Sequence, residues 1–344
     1  MMEIDGSEGE GGGQVLRSAL TLSMITGRPF RLVRIRARRP KPGLLRQHLV
    51  AVQAAAQICA ARTSPVALGA ATLEFYPGAI RGGDYSFAIG SAGSSTLVLQ
   101  TLLPALLYAD APSTVQITGG THNPLAPPVH FLQRAYGRVL AQMGAQIGIE
   151  QLRFGFYPAG GGAVRASVQT CARLQPVELL QRGQRVSGYA EAVVAGVPGQ
   201  VAQRELAVIG AGMRWTEEQL LCRSLPADQG PGNVLLLTLE HEQVTEVFAA
   251  FGERGLKAEA VGKRLLQEVR QYLATQAAVG PYLADQLLLP LALAGSGAFT
   301  ASSISQHART NADLIARFLP VTIRFEQHGH DDKRDALCTV KSSS

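Results

Sequence analysis

The chain has 344 residues and lacks several features that mark particular classes of protein. Its four cysteines form no C-x-x-C pair, which argues against a disulfide framework and against a cysteine-ligated zinc site. The most apolar stretch, residues 94–109, is interrupted by Gln100 and Pro104 and is shorter than the roughly 20 residues of a membrane span. Acidic Glu3 and Asp5 occupy the region where a signal peptide carries basic residues. We therefore expect a cytosolic protein that has no membrane partner.

Charged residues are also scarce, at 17% of the chain against 46% hydrophobic residues. This balance excludes a disordered chain, because enough apolar surface is present to offset the entropy lost on folding. The length predicts about two domains, or one large domain that carries an insertion.

Acidic residues are absent from one long stretch, Gly11 to Leu73, which we call the basic tract. Nine of its ten basic residues are arginine, whose planar guanidinium suits bidentate binding of phosphate. This concentration of positive charge favours a phosphate or nucleic-acid ligand, although a solvated face balanced by acids elsewhere has the same composition. The ten residues are Arg17, Arg28, Arg31, Arg34, Arg36, Arg38, Arg39, Lys41, Arg46 and Arg62.

The sequence contains an internal repeat. Phe75-Tyr76-Pro77-Gly78 and Phe156-Tyr157-Pro158-Ala159 end two similar segments, and periodicity predicts helix, strand, helix, strand in each. A third copy is predicted near the carboxyl end, after a different stretch with its own strands and helices. The predicted elements of the first segment are 14–26, 30–37, 43–60 and 72–76; of the second, 95–108, 114–118, 128–143 and 152–157; of the third, 282–294, 308–318 and 321–325; and of the intervening stretch, 188–194, 203–209, 234–239 and 260–273.

These patterns predict an α/β fold. Residues 1–183 and 277–344 are expected to form a large domain of three repeats. Residues 184–276 are expected to form a smaller α/β domain, inserted before the third repeat.

A glycine-rich run, Asp5 to Gln14, leads directly into the first predicted helix. Its glycines let backbone N–H groups approach a phosphate at the helix start. The run lacks the G-K-[ST] of a P-loop, so a flexible lead-in to the helix explains it equally well. Glu10 in this run would need a metal or an arginine partner beside a phosphate.

A second basic segment, Arg36 to His48, links a predicted strand to a helix. Strand alternation predicts that Arg34, Arg36 and Arg38 share one face. Because the prolines within the segment stiffen it, we favour a phosphate clamp over a solvated loop.

His307 opens a predicted helix on the same face as Thr310 and Asn311. Upstream, Asp285 shares a helix face with Tyr282 and Gln286, and polar groups on so apolar a helix are costly to bury without a partner. A neutral imidazole held by its neighbours can act as a nucleophile, whereas most histidines are packing or polar residues. At the carboxyl end, His328-Gly329-His330 with Asp331 and Asp332 could ligate a metal, but a solvated tail is the simpler interpretation.

Taken together, these segments closely resemble the RNA 3′-terminal phosphate cyclases over nearly the whole chain. The resemblance rests on Asp5-Gly6 through Ser18, Lys41-Pro42-Gly43-Leu44-Leu45-Arg46-Gln47-His48-Leu49, Arg81-Gly82-Gly83-Asp84-Tyr85, Gly90-Ser91-Ala92-Gly93-Ser94, Gly119-Gly120-Thr121-His122-Asn123-Pro124, Phe156-Tyr157-Pro158-Ala159-Gly160-Gly161-Gly162, Asp228-Gln229-Gly230-Pro231-Gly232-Asn233 and Tyr282-Leu283-Ala284-Asp285-Gln286. It is weakest around 215–223 and over the last fifteen or so residues.

This resemblance implies a large domain of three repeats like the carboxyl-terminal domain of translation initiation factor 3, with an inserted smaller domain. It also implies that ATP converts an RNA 3′-terminal phosphate to a 2′,3′-cyclic phosphate through a histidine-AMP and an RNA-adenylate, releasing AMP and pyrophosphate. RNA with a 3′-terminal phosphate is thus the expected partner, and ATP and a divalent metal (Mg or Mn) are the expected cofactors. The oligomeric state is left open.

The resemblance assigns roles to twelve side chains. His307 matches the nucleophile, and Glu10 and Asp285 match acidic positions near the metal and the triphosphate. The nucleotide pocket is matched by Gln100, Pro127, Phe131, Tyr282, Asp285 and Gln286. The positions that hold the RNA phosphate are matched by Arg17, Arg36, Arg39 and Gln47. The chain departs from the family at Ser303-Ile304-Ser305-Gln306, where a cysteine often precedes the histidine, so redox sensitivity there is in doubt.

Two alternatives compete with this function. A non-catalytic, cyclase-like ribosome-assembly factor would keep the fold and lose the nucleophile, yet His307 and the arginine set are present. An enolpyruvyl transferase uses related repeats, but its chemistry requires no histidine nucleotidylation and does not explain the basic tract.

Overall fold

The structure is a computed structural model that describes residues 1–328 and 335–343. His330, Asp331 and Asp332 of the possible metal-ligating tail lie outside these described residues. Within the described part of the chain, no helix is long and apolar enough to cross a membrane.

The first repeat is a four-stranded mixed sheet with two helices. It comprises β1 (Met2–Asp5), α1 (Gly13–Thr26), β2 (Phe30–Val33), α2 (Arg46–Ile58), β3 (Arg62–Thr63) and β4 (Leu73–Tyr76). Its strand order is β1-β2-β4-β3, with β1 parallel to β2 and the other pairs antiparallel. Phe30 on β2 lies opposite Phe75 on β4, and both rings are fully buried, so this pair anchors the register.

The second repeat has the same topology. It comprises β5 (Gly83–Ala88), α3 (Ser95–Leu106), β6 (Ser113–Gly119), α4 (Val129–Phe131), α5 (Gly137–Gln142), β7 (Ile147–Arg153) and β8 (Gly162–Val168). A π-helical turn, Leu132–Tyr136, joins α4 to α5. The order β5-β6-β8-β7, with β5 parallel to β6, reproduces that of the first sheet strand for strand.

A different unit follows the short strand β9 (Glu178–Leu179). It comprises β10 (Arg185–Ala195), α6 (Gly199–Met213), β11 (Leu220–Leu225), β12 (Gly232–His241), β13 (Thr245–Phe251) and α7 (Ala258–Leu273). Its sheet has the order β11-β10-β12-β13, and we call this unit the inserted sheet. Part of its apolar residues, Leu235, Phe248 and Tyr272 among them, form a core separate from that of the repeats. Other residues of the same strands, such as Val234 and Leu236, belong to the large core of the repeats.

The third repeat is completed after the inserted sheet by α8 (Pro281–Ala294), β14 (Ser296–Ala301), α9 (Gln306–Phe318), β15 (Val321–His328) and β16 (Asp335–Ser342). With β9 as its first strand, the order β9-β14-β16-β15 matches both other repeats, and β9 is parallel to β14. The chain therefore leaves the third repeat after one strand and returns at its first helix. The predicted α/β fold class is confirmed, whereas the domain boundaries at 184 and 276 stay a prediction.

Two predicted strands are wrong. The strand from Phe30 ends at Val33, because Arg34 and Arg36 adopt φ of 53° and 52° and begin a series of turns. Arg34, Arg36 and Arg38 therefore do not share a strand face.

The prediction at 152–157 is also wrong, since the strand there is β7, which ends at Arg153. Phe156 lies in the connection to β8, where its ring packs on His122, and this burial imitates the alternation of a strand. The fourth strands of the two repeats, β4 and β8, are equivalent in topology. The first Phe-Tyr-Pro segment ends β4, whereas the second precedes β8, so the two segments do not occupy equivalent places.

The first helices of the second and third repeats, α3 and α8, correspond in detail. Pro104 and Pro290 each occupy the tenth residue of their helix, and Gln100 and Gln286 each occupy the sixth. Gln100 Nε2 donates to Gln286 Oε1 at 2.6 Å, so equivalent positions meet across the repeat interface. The polar residues Gln14, Gln100 and Asp285 lie together where these two helices meet α1.

Candidate active site

A small polar cavity of about 50 Å³ lies where α1, α3, α8 and α9 meet. Its volume accommodates a few water molecules, so it forms the floor of a site and not a complete nucleotide pocket. It is lined by Gln14, Arg17, Ser18, Thr21, Gln100, Thr101, Pro104, Tyr136, Asp285, Gln286, Leu289 and Asn311.

His307 stands beside this cavity in the first turn of α9, where Ser305 caps the helix by accepting from the Ala308 N–H at 3.0 Å. Its Nδ1 lies 2.8 Å from Gln14 Oε1. Gln14 Nε2 donates to Asp285 Oδ1 at 2.7 Å, which directs the amide oxygen toward His307. Since that oxygen only accepts, Nδ1 carries a proton, and in the neutral imidazole the lone pair is on Nε2.

Asp285 is positioned by contacts from both sides. Burial raises the pKa of its carboxyl, opposed by the hydrogen bond from Gln14 and by the charges of His307 and Arg17. Its second oxygen, Oδ2, accepts from Gln286 Nε2 at 3.4 Å. The chain Asp285–Gln14–His307 thus joins α8, α1 and α9 through side chains alone.

Glu10 occupies the other side of His307. Its Oε1 pairs with the Arg39 guanidinium and lies 3.4 Å from His307 Nε2. Its backbone N–H donates to Thr310 Oγ1 at 3.2 Å, and a Cβ at Gly9, whose φ is +56°, would collide with that threonine. The glycine-rich run is therefore a tight connection that brings Glu10 against α9.

The second carboxylate oxygen, Glu10 Oε2, is buried and has no hydrogen-bond partner among the described residues. A buried, unpartnered carboxylate oxygen suits a hard cation such as Mg or Mn. The described residues contain no group of three or more His, Cys, Asp or Glu arranged to hold a metal ion. This donor set therefore fits a metal that takes one or two protein carboxylates and completes its shell with phosphate and water.

Arg17 and His48 form a second cluster near the start of α1. Burial lowers the pKa of the Arg17 guanidinium to about 10, so it stays cationic at neutral pH, and none of the ion pairs or hydrogen bonds of the described residues involves it. Burial and two neighbouring arginines lower the pKa of His48 to about 3, so its ring is neutral. His48 Nδ1 accepts from the Leu45 N–H at 3.1 Å, which leaves Nε2–H as a donor beside Arg17. A Cβ at Gly13 would collide with His48 and approach Arg17, so this space exists only with glycine. We call Arg17 and His48 the anion site.

A family model described as RNA 3′-terminal phosphate cyclase matches residues 8–325, nearly the whole chain. The chain belongs to the RNA 3′-terminal phosphate cyclase family. Membership supports an RNA partner and a cyclase-type function on RNA, and the match contains both the His307 cluster and the anion site.

The other residues that resemble the family's RNA-phosphate positions already have protein partners. Arg36 donates to the carbonyls of Lys41 and Gly43, at 2.6 and 2.9 Å, and so holds its own loop together. Gln47 Oε1 accepts from the Ser94 N–H at 2.8 Å, which ties α2 to the start of α3. Arg39 is paired with Glu10. Arg17 therefore differs from Arg36 and Arg39 in being free to bind an anion.

The proposed nucleotide residues fall into two groups. Gln100, Asp285 and Gln286 line the cavity at the helix junction. Tyr282 is 60% exposed in the first turn of α8, whereas Pro127 is half-buried ahead of α4. Phe131 is a core residue, 2% exposed. The structure thus does not bring these last three into the cavity lining, and their nucleotide-binding roles stay predictions.

Sequence reasoning missed the roles of Gln14 and His48. Gln14 was visible as the last residue of the glycine-rich run, three positions before Arg17 and therefore on the same helix face. His48 was visible only as one of seven histidines. Asn311, predicted to share a helix face with His307 and Thr310, contacts α1, since its Oδ1 accepts from Ser18 Oγ at 2.7 Å.

Proposed function

We propose that this chain catalyses the ATP-dependent conversion of an RNA 3′-terminal phosphate to a 2′,3′-cyclic phosphate, with release of AMP and pyrophosphate. The observation that carries the proposal is the Asp285–Gln14–His307 chain, which leaves Nε2 of the imidazole as a lone-pair donor. A histidine used only for packing has no need of a fixed tautomer. Here a buried carboxylate fixes the tautomer through two successive hydrogen bonds.

In the first step, His307 Nε2 attacks the α-phosphorus of ATP. A P–N bond forms, and the P–O bond to pyrophosphate breaks. The imidazole gains positive charge, which the Gln14 oxygen stabilises through Nδ1–H, while Asp285 keeps Gln14 from rotating.

In the second step, an oxygen of the RNA 3′-phosphate attacks the phosphorus of His307-AMP, and the P–N bond breaks. The RNA then ends in a phosphoanhydride to AMP, which is a better leaving group than a phosphate oxygen. In the third step, the neighbouring 2′-hydroxyl gives its proton to water, and its oxygen attacks the 3′-phosphorus and expels AMP. Arg17 and His48 are suited to hold the RNA phosphate during these transfers, which brings the reacting groups together and offsets their charge.

Glu10 and Asp285 are the residues that would hold a divalent metal. When bound, such an ion would neutralise part of the phosphate charge. Requiring the 2′-hydroxyl makes RNA the substrate of ring closure, since DNA has no such group.

The proposal is tested by incubating the protein with ATP labelled at the α-phosphate and Mg or Mn. We expect an acid-labile protein–AMP adduct in the wild type, its loss in His307→Ala, and its discharge by 3′-phosphorylated RNA. An adduct that persists undiminished in His307→Ala contradicts the proposal. Absence of any adduct in the wild type favours the non-catalytic, ribosome-assembly alternative.

A cytosolic location stays a prediction from the sequence.

A further inference from the structure

A groove of about 530 Å³ opens beside the first turn of α2, outside the cavity at His307. Residues 45–47 at the start of α2, 91–94 before α3 and 123–126 before α4 line it, together with Leu97 and Tyr157. A groove of this volume is large enough for a small organic ligand.

Two large hydrophobic side chains in this lining are exposed. Tyr157 is 65% exposed, and Leu125 is fully exposed. Exposed apolar side chains grouped around one groove indicate a binding surface. The ligand class that aromatic side chains bind in nucleic-acid proteins is the unpaired base, whose flat face stacks on the ring.

The charge in the groove points in the same direction. Among the thirteen lining residues there is one charged side chain, Arg46, and no acidic residue. The Arg46 side chain is exposed and takes part in no ion pair or hydrogen bond of the described residues, and its guanidinium lies near Gly90. An apolar surface with a single unpaired cation matches a nucleotide better than it matches a neutral ligand.

The groove adjoins the anion site through α2. Leu45 lines the groove, and its N–H donates to His48 Nδ1, while His48 Nε2 faces Gly13 and Arg17. The first turn of α2 therefore contacts the groove and the anion site together.

We propose that this groove binds the base of the 3′-terminal nucleotide of single-stranded RNA. The base stacks on Tyr157 against Leu125, and the phosphate on its 5′ side contacts Arg46. The assignment rests on the proposed function, because it places the 3′-phosphate at Arg17 and His48. Since every base has a stacking face, the groove tolerates any terminal base.

The experiment measures anisotropy of a fluorescent 3′-phosphorylated oligoribonucleotide with the full chain, in the absence of ATP. A second oligonucleotide is identical except that its last nucleotide lacks the base. Tyr157→Ala should weaken binding of the first by about fivefold or more and leave binding of the second unchanged. Tyr157→Phe, which keeps the ring, should bind both like the wild type.

Leu125→Ala supplies an independent variant should Tyr157→Ala fail to fold, and its matched control is Val186→Ala, which shortens an exposed side chain of the inserted sheet. Leu125→Ala should weaken binding of the base-containing RNA by about twofold or more, and the control should not. Equal binding of the two oligonucleotides by the wild type, or equal weakening of both by Tyr157→Ala, overturns the proposal. Base-dependent binding without a His307 adduct contradicts the proposed function alone, whereas an adduct with base-independent binding contradicts the groove alone.

Discussion

Buried carboxylates occur in two regions of this protein and serve different purposes. At the helix junction, Asp285 is linked to Gln14 and lies near the charges of His307 and Arg17, which oppose the effect of its burial. In the inserted sheet, Glu205 is fully buried, accepts one hydrogen bond from Asn233 at 2.7 Å, and leaves its other oxygen without a partner among the described residues. Burial raises the pKa of Glu205 to about 7. A carboxylate among cations and amides is kept available for chemistry, whereas one among apolar side chains chiefly alters stability.

The charge of the two regions differs in the same way. The basic tract has ten basic residues and no acidic one, whereas residues 184–276 carry nine basic and eleven acidic residues. Part of the tract is neutralised in the fold, because Arg31, Arg34 and Arg39 pair with acids that flank the tract in sequence. The solvated-face interpretation therefore holds for these arginines. The side chains of Arg17 and Arg46 have no such acidic partner among the described residues, and the phosphate interpretation stays open for them.

The largest effect is expected at the helix junction, when the hydrogen bonds of the Asp285–Gln14–His307 chain are removed. Gln14→Leu removes the acceptor at Nδ1, so the imidazole is no longer held in the tautomer that exposes the Nε2 lone pair. We expect the rate of adduct formation with labelled ATP to fall by up to about 10⁴-fold, the loss seen when a tautomer-setting group is removed. Gln53→Leu, the same change at an exposed position of α2, is the control and should react like the wild type. A Gln14→Leu protein that forms the adduct at the normal rate contradicts this role.

A smaller effect is expected at the anion site. Arg17→Met should slow discharge of the adduct by 3′-phosphorylated RNA by about 10- to 100-fold, because a charge-assisted contact to the RNA phosphate is lost. Adduct formation itself should change less than about threefold. The matched control is Arg38→Met, an exposed arginine of the same tract. Equal loss in both steps, or an equal effect of Arg38→Met, would show that Arg17 is not a separate phosphate site.

The smallest effect is expected in the inserted sheet, where Glu205 should alter stability and not chemistry. Its pKa is about 7 in the folded chain against an ordinary 4.5, so its contribution is fully present below about pH 4.5 and is lost as the pH rises through 7. Glu205→Gln does not titrate, so thermal melts should agree with the wild type near pH 4.5 and exceed it by several degrees above pH 7. Adduct formation should be unchanged throughout. Melting temperatures that differ equally at both pH values would exclude a titrating Glu205.

The helices were the best predicted elements because their apolar periodicity is local. Helices at 14–26, 282–294 and 308–318 are found at Gly13–Thr26, Pro281–Ala294 and Gln306–Phe318. The strand predictions failed where loops bury alternating side chains, as at Phe156, or where positive φ ends a strand after Val33. Alternation reports burial, and burial does not require a hydrogen-bonded partner strand.

The candidate site was predicted through its residue types but not through its connections. Asp285 was identified because a polar group on an apolar helix requires an explanation, and His307 because it opens a helix on a face with other polar residues. Glu10 was identified because a carboxylate in the glycine-rich run needs a metal or an arginine partner beside a phosphate. Gln14 was missed because its partners lie about 270 and 290 residues away, on two other helices. No local pattern reports such a contact.

Four features follow from the sequence alone, because each is a local pattern or a composition. They are the α/β class, the existence of repeats, the concentration of arginine and the presence of His307. The tertiary structure was needed to show that the three repeats share one strand order and that their first helices meet at one polar cavity. It also decided which arginines are neutralised and which, like Arg17, keep their charge without a partner. These outcomes depend on residues from distant repeats that sheet topology and helix packing bring within hydrogen-bond distance, and that proximity is set by the fold as a whole.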